Sequence, residues 1–213
     1  MARTLTSVTA GLALCVLLTA CGGGEEPPPR VTAAQQCDGT LSQGAAEGLE
    51  TVLGTKTFNP AGSGGLRRAV EQLEEDQAKG ERRTSHPSMC EVQDADGRRG
   101  LDVQFGLYDE SDLFGKTRSA GLYAYDMGRE ARAGSKRAYL FLECVSPRLK
   151  GSQERPARIR GTVEVGPPFP QDTAAVREAN LTVLHSVGLA VARELGCEGD
   201  AGLTGEPVLK PVK

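Results

Sequence analysis

The stretch Leu101-Asp102-Val103-Gln104-Phe105-Gly106-Leu107-Tyr108 alternates from end to end. Leu101, Val103, Phe105 and Leu107 share one parity; Asp102, Gln104 and Gly106 share the other. A period of two places these sets on opposite faces of a strand, one buried and one wet. Just upstream, Cys90-Glu91-Val92-Gln93 reads as a partner strand, joined through Asp94-Ala95-Asp96-Gly97-Arg98-Arg99-Gly100. Downstream, Leu122 to Met127 predicts a short strand. Arg137 to Val145, nearly all apolar over Ala138 to Leu142, predicts a central one. In Arg158 to Val165, Ile159, Gly161, Val163 and Val165 oppose Arg160, Thr162 and Glu164.

Helical spacing brackets this block. Ser42 to Leu53 carries Ala45, Leu49, Val52 and Leu53 on one stripe, with Ser42 as N-cap and Gly54 as stop. A short strand is expected at Thr55 to Phe58, and a second helix from Leu66 to Ala78. The longest helix spans Thr173 to Leu195, capped by Asp172, with a stripe of Val176, Ala179, Val183, Val187, Ala190 and Val191. Strands joined by short turns and flanked by helices predict an α+β fold. The expected architecture is an antiparallel sheet of about five strands with three helices packed mainly on one face.

Of the 213 residues, 28 are acidic and 25 basic, for a net charge of −3, which argues against nucleic-acid binding. Aromatics make up 4% with no Trp, which disfavours a stacking platform. His86 and His185 are the only histidines.

The N-terminus reads as an address. Arg3 precedes an uncharged run from Val8 to Ala20, shorter than the ~18 residues a membrane span needs. It ends in Leu18-Thr19-Ala20-Cys21, which resembles the lipobox of bacterial lipoproteins. That resemblance implies lipidation of the Cys21 thiol and cleavage before it. Gly22 to Gly24, Glu25, Glu26 and Pro27 to Pro29 then read as a tether. The expected organisation is a signal peptide over 1–20, a flexible tether over 21–36, one disulfide-linked domain over 37–205 and a tail over 206–213. The domain would sit on the extracytoplasmic face of a cell membrane, with the lipid as anchor; the mature side chains carry more acid than base.

Six cysteines are present. With Cys15 in the signal core and Cys21 lipidated, Cys37, Cys90, Cys144 and Cys197 remain, an even set suited to an oxidising compartment. Pairing Cys37 with Cys90 and Cys144 with Cys197 ties neighbouring segments, each bridge contributing ~4 kcal/mol in the loop-entropy picture. The spacing matches neither a zinc ribbon nor a redox Cys-x-x-Cys motif.

The candidate sites are dispersed. Asp94-Ala95-Asp96-Gly97 opens like a calcium loop, but Arg98 and Phe105 occupy positions that need ligands, so a hairpin turn is expected. Asp109-Glu110-Ser111-Asp112 reads as a solvated loop. Gly62 to Gly65 precedes a helix start where backbone N–H groups could hold an anion, but it lacks the ending of a nucleotide loop, so a plain loop is expected. His185 stands beside Ser186, but adjacent helix residues face different ways and no nucleophile elbow is present. His86 falls in a loop. Between Phe114 and Arg137, aromatic and basic residues interleave, and Tyr123, Tyr125 and Arg129 are the candidate partner-binding residues.

The lipobox, Cys37-Asp38-Gly39 before a helix, Cys90, Cys144 and the helix ending Gly196-Cys197 together resemble small actinobacterial cell-envelope lipoproteins of unknown function. Eighteen Arg against seven Lys fit a high-GC source. The resemblance implies no catalytic residues. The expected function is a lipid-anchored, non-catalytic binding or scaffolding module with an envelope protein as partner. It would use no cofactor, metal or nucleic acid. The alternatives are a cell-envelope hydrolase using His185 and dispersed carboxylates, and a small-molecule-binding lipoprotein with a pocket beneath the long helix.

Overall fold

A computed structural model describes residues 29–83, 86–117 and 119–212. The leader and Cys21 lie outside the described residues. Among the described residues, three α-helices and six strands build the fold. The helices are α1 (Gln43–Leu53), α2 (Gly65–Lys79) and α3 (Ala174–Leu195). The strands are β1 (Ser88–Gln93), β2 (Gly100–Leu107), β3 (Tyr123–Tyr125), β4 (Glu130–Ala133), β5 (Arg137–Cys144) and β6 (Ala157–Val165). All pairings are antiparallel, in the order β1-β2-β6-β5-β4-β3. This is the expected α+β sheet with one more strand.

The alternation in β2 sets the layers. Leu101, Val103 and Phe105 are buried toward the helices, and Asp102 and Gln104 face away. β6 and β5 occupy the centre, and Leu140 of β5 lies beneath Gly188 of α3. α2 covers β1 and β2, α3 covers β4 to β6, and α1 lies on α3. Gly48 makes that helix crossing close, because a Cβ there would stand 3.1 Å from the Ala179 carbonyl oxygen. Covered on both sides, α3 buries Asn180, Leu181, His185 and Ser186 beyond the expected stripe.

Several expectations need correction. Thr173, not Asp172, caps α3, accepting from the Val176 N–H at 3.2 Å, while Asp172 pairs with Arg177. The strand expected at Thr55 to Phe58 reduces to Phe58, which bridges Val31 and Asp94. β4 was not expected. Its Glu130 and Arg132 bond each other at 2.8 Å on one face, while Ala131 and Ala133 are buried on the other. Residues 31–36, read above as the end of the tether, pack onto the domain: Ala33 and Gln36 are buried, and the Gln36 amide donates to the Asn59 carbonyl.

Two disulfides join Cys37 to Cys90 and Cys144 to Cys197. Among the described residues, no helix is long and apolar enough to cross a membrane.

Candidate functional site

The sheet face away from the helices is covered over one half only. The chain between β2 and β3 crosses this face to reach the far edge, and it brings Tyr108 and Phe114 onto β5. Tyr108 meets Phe141 edge-on at 5.0 Å, and Phe114 lies 5.3 Å from Tyr139. The loop before β1 covers Gly106 with the His86 imidazole, whose atoms lie where a Cβ on that residue would be. Burial, then Arg160, pushes this imidazole below its ordinary value. Arg82 fastens the same loop to Asp109 and Asp112, and Glu110 takes Arg129 and Arg158. The carboxylates of Asp109 to Asp112 are therefore paired with arginines.

The other half of the face is open. Here the register aligns Glu91, Asp102, Glu164 and Arg137 in one row across β1, β2, β6 and β5. Arg137 pairs with Glu164 at 3.2 Å, and Asp102 accepts from the Ser88 hydroxyl and the Gln104 amide. Leu122, Tyr139 and Phe169 wall this floor into a cleft of about 840 Å³. Lys136 sits 4.4 Å above the Phe169 ring, which leaves an apolar wall beside a polar floor. This volume suits a small ligand, and the mixture of apolar walls with a few fixed polar groups is typical of a binding site.

The three candidate partner-binding residues divide between surfaces. Tyr123 and Tyr125 pair with Ala133 and Ala131, which pair with Ala138 and Leu140, so both tyrosines point to the helix side. Tyr123 is 48% exposed, with the Arg177 guanidinium 3.6 Å over its ring. Tyr125 is 5% exposed, and burial pushes its phenol up. Arg129 lies on the opposite face, bonded to Glu110 at 3.1 Å and 3.7 Å from Glu143. Tyr125 and Arg129 both border a second cleft, of about 500 Å³, around the β3–β4 turn, and Tyr123 does not.

The remaining candidates are structural. His185 is 2% exposed and lines neither cleft; burial lowers its affinity for protons. The Ser186 hydroxyl accepts from the Ser42 N–H at 2.8 Å and donates to the Thr40 carbonyl at 2.9 Å, which joins α3 to the start of α1. Asp94 accepts from the Arg98 N–H at 2.7 Å, closing the hairpin turn. The start of α2 does hold an anion, and it is the chain's own: the Asp38 carboxylate accepts from the Gly64 and Leu66 N–H groups, both at 2.8 Å. Among the described residues, no group of three or more His, Cys, Asp or Glu is placed to hold a metal.

Sequence reasoning missed both Asp38 and the cleft. Asp38 lies 26 residues before its first partner, and only the signal for an anion at Gly64 pointed toward it. The cleft arises from cross-strand register and from where Phe169 falls, which no local pattern encodes. No family model, curated protein or solved structure matches the chain.

Proposed function

We propose that the chain is a lipid-anchored, extracytoplasmic, non-catalytic binding module, with the open cleft on the outer sheet face as its ligand site. The observation that carries this reading is the cleft, whose polar floor is built on rigid central strands and so is preorganised. Two disulfides support an oxidising compartment, and Leu18-Thr19-Ala20-Cys21 supports the anchor. The hydrolase alternative lacks comparable support, because the His185 ring is buried and the Ser186 hydroxyl is engaged. The small-molecule alternative required space beneath α3. Leu181, Leu184 and Val187 fill that layer, so a small ligand would have to use the opposite face.

Native mass spectrometry of the chain extracted from its own membranes, without reductant, tests the reading. The expected result is a reproducible extra mass that is lost from a Leu122→Ala/Phe169→Ala variant. It should be kept by a Tyr123→Ala/Arg129→Ala variant. Loss from the second variant alone moves the site to the β3–β4 hairpin. A bare chain in every sample overturns the binding reading.

A further inference from the structure

β3 is the last strand of the sheet, yet its outer edge is occupied. Lys210, Pro211 and Val212 run antiparallel along it: the Asp126 N–H donates to the Lys210 carbonyl, and the Val212 N–H donates to the Ala124 carbonyl, both at 2.9 Å. Pro211 stands opposite Tyr125. At this register its nitrogen faces away from β3, so the missing N–H costs no ladder bond and offers a further strand no donor at that position. Leu209 is partly buried against the core, whereas Val208 and Val212 are 52% and 56% exposed. The strap is therefore held by two edge bonds and one partly buried leucine. The segment leading to it includes Gly205, where even an added Cβ would touch nothing.

We propose that this strap is exchanged between two copies of the chain, the tail of each seating on β3 of the other. A second copy is the partner the structure supports, because the tail is a peptide already shown to fit this edge in register. Exchange keeps every contact of the strap and changes only which chain supplies it, so the remaining cost is that of bringing two chains together. With Cys21 lipidated as proposed above, confinement to a membrane lowers that cost by raising the local concentration. The inference does not depend on the cleft.

Cysteine trapping in membranes tests it. Ala124 and Val212 face each other as an antiparallel pair, whose Cα separation of about 5.5 Å lies within reach of a disulfide. One copy carries Ala124→Cys and one tag; the other carries Val212→Cys and a second tag. The expected result on mild oxidation is a covalent band bearing both tags. It should exceed, on the order of tenfold, the band from Val208→Cys, a similarly exposed position off the paired segment. A chain with both Ala124→Cys and Val212→Cys is the control and should close on itself. If that control closes and the two-tag band is no stronger than with Val208→Cys, exchange is overturned. If the control fails to close, the tail does not lie on β3 and the proposal falls with it.

Discussion

Tyr108 buries a hydroxyl that has no hydrogen-bond partner, and burial, followed by the nearby Glu143, pushes its phenol up to about 12. The unfolded chain ionises this group near its ordinary value of about 10, whereas the folded chain does not. Stability is therefore full below about pH 10 and falls as pH rises toward the folded value. Tyr108→Phe is expected to flatten that alkaline loss and to leave neutral stability unchanged or slightly higher, since it deletes an unpaired polar atom. Urea melts from neutral to alkaline pH check this; an unchanged alkaline slope would refute it. The two histidines act at the other end of the scale. His86 and His185 are both held neutral, mainly by burial. The unfolded imidazoles take up protons near about 6.5, so stability is full above that and declines as pH falls toward the lower folded values. The double change His86→Leu/His185→Leu should reduce the drop in urea midpoint between about pH 7.5 and about pH 5. An equal drop in wild type and variant would show that other groups govern it.

At the level of elements, Gly161 lets α3 and Phe105 close on the sheet. It lies in β6 beneath α3, and a Cβ there would stand 2.7 Å from the Phe105 ring and 3.0 Å from Leu184. Gly161→Ala is expected to cost about 1–3 kcal/mol through overpacking, with a matching fall in the chemical denaturation midpoint. A variant as stable as the parent would mean that Phe105 repacks freely. The helices were legible in sequence because stripes and caps are local signals: Ser42 and Gly54 end α1 as read. β2, β5 and β6 were legible from alternation and from apolar runs. β4 was not, because two of its four residues are charged and the inward pair is only alanine. The split of Tyr123 and Tyr125 from Arg129 was equally hidden. All three lie within seven residues, but the turn between β3 and β4 carries the arginine to the other face.

Across the whole molecule, the two bridges clasp separate regions, each spanning 53 residues of chain. Cys37–Cys90 ties the turn that carries Asp38 to β1, and Cys144–Cys197 ties the end of β5 to the end of α3. Replacing Cys144 and Cys197 together by Ala is expected to cost about 2–5 kcal/mol, read as a lower thermal midpoint without reductant. An unchanged midpoint would mean that packing alone holds α3. The chain enters the domain at a particular corner. Arg30 bonds Asn59 and the Ala95 carbonyl, and Val31 pairs with Phe58, beside the β1–β2 hairpin. The open cleft borders Gln93 and Gly100, the two residues that flank the same hairpin. With Cys21 lipidated as proposed, the nine residues from there to Arg30 form a leash that stretches to roughly 30 Å at most. On such a leash the hairpin corner, and the cleft mouth beside it, would stay within that reach of the bilayer surface.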